Sequence, residues 1–587
     1  MDGGMAAAGV FSYLCHMANF GKSFLFLPVL FLASIFMPAR AEDYLQQGFP
    51  AELPDSVIRI SSGNAGYGRP INIEGMSYNF APTFFIYPDH TLTDDEADRL
   101  VDELGIRQRK DITYGGIYVI NPTSGKYDAD SDFELFKEMA YMASFTGNLK
   151  VIGIDGGATF VNGVIAPRAC HCIAGILSIN GKKCKLPKGT YAGVPAYIYG
   201  ADAAKVAQAY ISMAGAVQQD GCFTRPGEPL MKVVADSADG KSLSEVFDDA
   251  WKSVLGRNYR FNNSKHTHYD GTPFGEYGTF ELEPYLDTKS LGIVRLTCES
   301  APNNARPSDK WLWYEYWPEE LMDGGAERSV PVVILLHGNM NDPRTQAETS
   351  GFLQLAAKER FFVAELEWQG NNAYAAMQHD GIEQVVLGLL KKYPQLDPSR
   401  VYAQGLSAGS ITATAIGIEK SHIFAAVGGN SGGVFFIERD GMFSTYNSLW
   451  AKATQKRGNV IMPYCSVLGM SDMIVPFYNK DNYKENGYLN AWNLYMQMAG
   501  LDPIRTLDYS KDDLFGIELT DRQTVKVKRE SDFTIETGLI CKEDIPVVKI
   551  IAIRDYGHWN FPPATAMMWE FFKHFSRDPQ TYELMYK

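Results

Sequence analysis

Short, nearly unbroken apolar runs alternate along this chain with longer mixed stretches. Val332 to Leu336, Val401 to Ala403, Val460 to Leu468 and Val547 to Ile553 are such runs, and each stops at a glycine or a polar turn. A strand with one wet face alternates apolar and polar residues, whereas a strand covered on both faces does not, so these runs predict buried parallel strands. The exception is the alternating Trp311-Leu312-Trp313-Tyr314-Glu315-Tyr316-Trp317, which with Ile293 to Thr297 predicts an antiparallel hairpin. Helix-like stretches such as Ile382 to Leu390 separate the runs, which gives an α/β class with a mostly parallel sheet.

The same succession occurs earlier. Phe84-Phe85-Ile86 takes the place of Val333 to Leu336, Ile117 to Ile120 that of Phe361 to Leu366, and Phe133 to Met142 that of Ile382 to Leu390. Lys150 to Gly157 aligns with the segment around Ser407, Cys172 to Ile176 with Ala425 to Gly429, and Pro195 to Asp202 with Pro463 to Asp472. The helices that follow share Tyr210-Ile211-Ser212-Met213-Ala214-Gly215 against Tyr495-Met496-Gln497-Met498-Ala499-Gly500. This predicts an internal duplication: a first unit over 42–274 and a second over 275–587, with Asn262 to Tyr277, rich in Asn, His, Gly and Thr, as the boundary loop.

Chemistry concentrates in the second unit. Gly405-Leu406-Ser407-Ala408-Gly409 has the form G-x-S-x-G, and between a strand and a helix such a segment forces its serine into a sharp, exposed turn. Asp472 follows the run Val460 to Leu468, and His558 follows Val547 to Ile553. The order Ser, Asp, His, each just past a strand end, fits a nucleophile, a base and the acid that orients the base. Asp472 as a helix cap and His558 as an ordinary loop histidine are the structural alternatives, and Asp555 competes with Asp472 by proximity in sequence. The backbone N–H of Ala408 and that of Asn339, or of Met340 beyond it, would meet a developing oxyanion. Trp368 and Trp559 either line a pocket or pack in the core.

From about Gly275 to the end the chain resembles the polyhydroxybutyrate depolymerase and feruloyl esterase branch of the α/β-hydrolases. The resemblance is carried by Leu335-Leu336-His337-Gly338, Asp397-Pro398-Ser399-Arg400-Val401-Tyr402 and Phe424-Ala425-Ala426-Val427, then by Gly469 to Pro476, Gly557-His558-Trp559 and Trp569-Glu570-Phe571-Phe572. It implies that the second unit is a complete α/β-hydrolase, and with the internal duplication it gives two tandem α/β-hydrolase-like domains, the first degenerate. The second would be a serine carboxylesterase with no cofactor, acting on feruloyl or acetyl esters of plant polysaccharide or on short polyesters. Relatives with polyester activity commonly carry a cysteine after the His-Gly pair, where this chain has Asn339. A serine peptidase of related fold and a non-catalytic binding or scaffold protein are the competing readings.

In the first unit Asp155 stands where the second has Ser407, and Pro88-Asp89 where the second has His337-Gly338. An aspartate can act as a nucleophile or simply accept backbone hydrogen bonds in a tight turn. His266 and His268 lie in a polar stretch rather than at a strand end. No tryptophan occurs from Glu42 to Asp249, which speaks against aromatic platforms of a polymer-binding module there.

Composition narrows the partners. A net charge of −15 over 587 residues is a poor match to nucleic acid, whose binding needs phosphates neutralised. Ser23 to Phe36, preceded by Lys22 and followed by Ala39-Arg40-Ala41, has the form of a secretory signal cleaved after Ala41. A secreted or periplasmic protein with no membrane association after cleavage is expected. The mature chain would keep Cys170, Cys172, Cys184, Cys222, Cys298, Cys465 and Cys541, an odd set that leaves at least one free thiol. Cys170-His171-Cys172 with Cys184 lacks the usual two-residue gap of a zinc site, so no metal is assigned.

Overall fold

The computed structural model describes residues 52–63, 81–143, 148–260, 274–275, 278–279, 281–301, 304–323, 326–370, 374–434, 460–472, 474–477, 487–529 and 531–587. The expected signal segment and His266 and His268 lie outside them, as does most of the expected boundary loop.

The first half folds around one sheet. Its strands are β1 (Val57–Ser61), β2 (Thr83–Tyr87), β3 (Gly116–Ile120), β4 (Leu149–Ile154), β5 (Ile173–Ile179), β6 (Ala196–Tyr199), β7 (Val217–Gln219), β8 (Cys222–Arg225) and β9 (Glu228–Asp236). They lie side by side in the order β1-β3-β2-β4-β5-β6-β9-β8-β7. Helices α1 (Asp94–Leu104), α2 (Ser131–Ala143), α3 (Gly156–Phe160), α4 (Ala203–Ala214) and α5 (Leu243–Ser253) belong to this half. Thr93 and Ser242 each close a capping box with the glutamate three residues on, which fixes where α1 and α5 begin. Short strands β10 (Asn258–Arg260) and β13 (Leu282–Pro284) pair across the junction, with the small β11 (Phe274–Gly275) and β12 (Gly278–Thr279) between them.

A second sheet holds β14 (Ile293–Glu299), β15 (Leu312–Pro318), β16 (Val330–Leu336), β17 (Phe362–Leu366), β18 (Leu396–Leu406), β19 (Ala426–Asn430), β20 (Tyr464–Gly469), β21 (Thr520–Lys528), β22 (Asp532–Lys542) and β23 (Ile545–Ile553). Its order is β14-β15-β17-β16-β18-β19-β20-β23-β22-β21. The helices of this half are α6 (Arg344–Ser350), α7 (Phe352–Glu359), α8 (His379–Lys392), α9 (Ala408–Glu419), α10 (Gly487–Met498) and α11 (Pro562–Phe572).

Set β14 aside and the two sheets have one topology. β1, β3, β2, β4, β5, β6, β9, β8 and β7 correspond in turn to β15, β17, β16, β18, β19, β20, β23, β22 and β21. The flanking pairs are antiparallel in both sheets, β1 with β3 and β15 with β17 at one side, β9-β8-β7 and β23-β22-β21 at the other. Every pair between is parallel in both. The chain is therefore two α/β units of the same strand order, with mostly parallel centres, as the paired sequence runs predict.

Several central strands are buried along their whole length, β16 at all seven positions and β4 at all six, and β18 is buried from Val401 to Leu406. Helices on both faces account for this, and a parallel strand so enclosed has no polar face to show. The outermost β21 is mostly exposed and carries Lys526 and Lys528, which discourages pairing with another chain. The junction serves both cores: Tyr259 of β10 packs with Phe533, Tyr556 and Phe561, whereas Leu282 of β13 packs with Val151 and Ile176 of the first sheet. Lys150 of β4, fully buried, donates through Nζ to Ala174 O at 3.1 Å and Asn258 O at 2.8 Å, and burial pulls its pKa well below the usual range. Among the described residues no helix is long and apolar enough to cross a membrane.

One buried acid makes stability depend on pH. Glu365 lies mid-strand in β17 with no exposed surface, and burial pushes its pKa well above the usual carboxylate range, with Asp342, Glu367 and Glu348 adding to the rise and the Ala347 N–H opposing it. A folded pKa above the unfolded one means the fold favours the protonated acid. That contribution is complete below the unfolded value of about 4.3 and is lost as pH rises through the folded value. Glu365→Gln, which cannot ionise, is expected to melt several degrees above wild type at pH 8.5 (roughly) and together with it near pH 4 (roughly). Equal melting at both values in a thermal scan would remove the assigned cause.

Candidate active site

β18 turns into α9 through Gly405 to Gly409. The turn is so tight that a Cβ on Gly405 would overlap the Gly409 carbonyl, and one on Gly409 would overlap those of Leu336 and His337 at the end of β16. Ser407 sits at φ 53° and ψ −117°, strained for a residue with a side chain. Its N–H donates to Asn430 O at 2.8 Å, and Ala408 begins the helix.

Asp472 leaves β20 two strands along. A Cβ on Gly469 would overlap the carbonyls of Tyr556 and Gly557, so only glycine lets the two loops come this close. Asp472 Oδ1 accepts from the N–H groups of Ile474 and Val475, both at 2.8 Å, and Oδ2 lies 2.7 Å from His558 Nδ1. Both side chains are almost wholly buried. A carboxylate facing Nδ1 places the ring proton there and leaves Nε2 as the basic nitrogen. Asp555, the competitor by sequence, is exposed and adopts φ 54°.

The serine turn and the histidine loop hang on the same residue. Asn430, which takes the Ser407 N–H on its backbone oxygen, donates through Nδ2 to Trp559 O at 3.4 Å and to Asn560 Oδ1 at 3.0 Å. Ser407, Asp472 and His558 all lie just past the C-terminal ends of strands in the stretch β18-β19-β20-β23.

At this rim the N–H groups of Ala408 and Asn339 have no partner among the described residues. Met340, the alternative to Asn339, instead donates its N–H to Gln369 Oε1 at 2.8 Å, while Gln369 Nε2 donates to Asn339 Oδ1 at 3.0 Å. Gln369 thus clasps the loop and leaves the Asn339 N–H unspent. The two tryptophans are occupied by packing. Trp368 is buried and donates Nε1 to His337 O at 2.9 Å, bracing the same loop from beneath, and Trp559 is buried with Tyr556 and Phe561. Each ring is largely covered by core residues. His337 is likewise buried, with Nδ1 against Gly338 O at 2.8 Å.

The first unit repeats the turn. Asp155 has φ 49° and ψ −107°, its N–H donates to Ile179 O at 2.8 Å, and a Cβ on Gly157 would overlap the carbonyls of Tyr87 and Pro88. The surroundings differ. The N–H of Gly156, in the place of the Ala408 N–H, donates to Asp89 Oδ1 at 2.8 Å, so a carboxylate occupies the space where an oxyanion would go. Beyond β9 the chain offers Lys241, paired with Asp236 at 2.6 Å and Asp249 at 2.7 Å, where the second unit offers its histidine.

The seven described cysteines are free thiols. Cys172 donates to Ala169 O and Cys184 to Asn162 O, and burial pushes the Cys172 thiol up to about 12. Such thiols act as small apolar side chains. Sequence reasoning passed over Gln346, Gln369, Gln404, Asn430 and Asn560. A signal existed in two of them, since Gln404 directly follows the apolar run Val401 to Ala403 and Asn430 is the polar last residue of β19.

No family model and no curated protein matches the chain. Among solved structures it is similar to an acetyl xylan esterase from Aspergillus awamori, at 15% identity and a TM-score of 0.31 over 47% of this chain and 99% of that one. It is also similar to an S-formylglutathione hydrolase from Staphylococcus aureus, at 14% identity and a TM-score of 0.24 over 31% and 82%. An acylaminoacyl peptidase from Pyrococcus horikoshii shares 15% identity at a TM-score of 0.26 over 42% of each chain.

Proposed function

We propose that the second unit is a serine hydrolase of carboxylic esters and that the first is a degenerate copy without activity of its own. The observation that carries the reading is the Asp472 Oδ2 to His558 Nδ1 contact of 2.7 Å, made in a loop tied through Asn430 to the strained Ser407 turn. In this reading His558 Nε2 takes the Ser407 proton as the oxygen attacks the ester carbonyl, and Asp472 stabilises the imidazolium. The tetrahedral oxyanion is met by the N–H groups of Ala408 and Asn339, the first at the positive end of α9. The imidazolium then gives its proton to the leaving alcohol, and water, activated by the same nitrogen, releases the acid from Ser407.

Feruloyl or acetyl esters of plant polysaccharide and short polyesters are the substrates proposed, on the sequence resemblance and on an acidic chain suited to neutral substrates. Export rests on the Ser23 to Ala41 segment. The first unit's inactivity rests on Asp89, whose carboxylate both fills the Gly156 N–H site and repels a second negative charge there.

A fluorophosphonate probe tests the reading, because it reacts only with an activated serine. Applied to the cells and medium of an expressing culture, it is expected to label a chain beginning at Glu42, in the medium, with the adduct mapping to Ser407. Folded protein that takes no label would leave the scaffold reading standing. Turnover of peptide rather than ester substrates in a side-by-side panel would favour the peptidase.

A further inference from the structure

We infer that Gln346 and Asn560 form a buried amide clasp that positions the His558 imidazole relative to Ser407, and that this clasp, out of reach of any substrate, governs kcat. The inference rests on the serine-hydrolase reading above and assigns a role to residues that take no part in its bond changes.

Asn560 follows His558 by two residues. Its Nδ2 donates to Gln346 Oε1 and to Thr349 Oγ1, both at 2.8 Å, and its Oδ1 accepts from Gln346 Nε2 at 3.1 Å and Asn430 Nδ2 at 3.0 Å. Two donors and two acceptors are all that a primary amide can use. Gln346 Nε2 also donates to Gln404 Oε1 at 2.5 Å, and Gln404 Nε2 to Gly405 O at 2.9 Å. The path therefore runs from Gly405, two residues before Ser407, through Gln404, Gln346 and Asn560 to the histidine loop. It returns through Asn430 to the Ser407 N–H. Tyr556 closes the near side by donating its hydroxyl to Asn560 O at 2.5 Å.

These side chains are 0% (Gln346), 1% (Gln404), 2% (Asn560) and 3% (Asn430) exposed, so none of them is presented to solvent or to a substrate. Burying polar groups is unfavourable unless every one is paired, and at equal volume apolar residues would pack here without that demand. What hydrogen bonds add is direction. Apolar packing lets a loop slide by fractions of an ångström, whereas four bonds on one amide do not, and a misplacement of about 1 Å at a reacting group can cost about 100-fold in rate.

The test compares Asn560→Leu and Gln346→Met, which keep volume and remove the polar atoms, with Thr349→Val, which removes one acceptor. With p-nitrophenyl acetate, kcat is expected to fall about 30- to 100-fold in the first, about 10- to 30-fold in the second and less than about 5-fold in the third, with KM within about twofold of wild type throughout. The acid limb of the kcat/KM profile should move to lower pH in the same order, because a histidine less well aligned with Asp472 is a weaker base. Wild-type kcat and an unmoved limb in folded variants would overturn the clasp, as would a loss of kcat matching only the folded fraction in thermal melts. If the two larger changes prevent folding, the limb of Thr349→Val decides in the same way. Wild-type protein unlabelled by the fluorophosphonate would instead defeat the hydrolase reading itself, whatever the variants do.

Discussion

Ser407→Ala is expected to lower kcat for p-nitrophenyl acetate by on the order of 10⁵-fold while leaving the fold intact. The size follows from the division of labour in the site. In the proposed mechanism, removing the nucleophile makes His558 and Asp472 useless together with it, and what remains is the smaller rate gain from the N–H pair and from binding. The fold should not notice, because alanine suits the turn no better and no worse than serine at φ 53°. Ser407→Gly separates strain from chemistry. It is equally inactive, but glycine tolerates that backbone conformation, so it should unfold about 1 kcal/mol later or more. Asp155→Gly relieves the same strain in the first unit, at φ 49°, and should gain similar stability with full activity. Activity measured alongside denaturant melts checks all three, and an Asp155→Gly variant that loses turnover would mean that the first unit is not inert.

Much of this architecture is legible in the sequence because parallel strands covered on both faces have no reason to alternate. The run Val332 to Leu336 lies within β16, and Val547 to Ile553 within β23. The run from Val460 overreaches, since β20 begins only at Tyr464, just after Pro463, a residue with no N–H to give a sheet. The duplication is readable for the same reason: strand positions recur, and the positive-φ turn recurs with them at Asp155 and Ser407. The antiparallel pair β21 and β22 is a hairpin whose turn does more than pattern could say. Arg529 there pairs with Glu281 at 3.0 Å and Glu283 at 2.5 Å in the junction, and Ser531 N–H donates to Glu281 Oε1 at 2.6 Å. Contacts of that kind escape a sequence reading. Gln346 meets Asn560 across more than two hundred residues, and Asp89 meets Gly156 across sixty-seven, so no local spacing encodes either. Trp368 and Trp559 show the converse limit, because an aromatic residue beside a candidate site has the same sequence signature whether it lines the site or lies under it.

Asp472→Asn is expected to lower kcat about 10⁴-fold with little change in KM, and the geometry says why an uncharged amide of the same shape is such a poor replacement. The Ile474 and Val475 N–H groups both point at Oδ1, each at 2.8 Å, and they will accept only an oxygen there. The asparagine NH₂ must then occupy the place of Oδ2, 2.7 Å from His558 Nδ1. A donor facing Nδ1 forces that nitrogen to accept, which moves the ring proton to Nε2, the atom that in the proposed mechanism receives the proton of Ser407. The base is thereby blocked rather than merely weakened. Asp472→Ala removes the orienting partner without imposing the wrong tautomer, so its loss should be smaller at high pH, where hydroxide can assist. A kcat in Asp472→Asn within about tenfold of wild type would show that the pairing of these two buried side chains serves the fold and not the reaction.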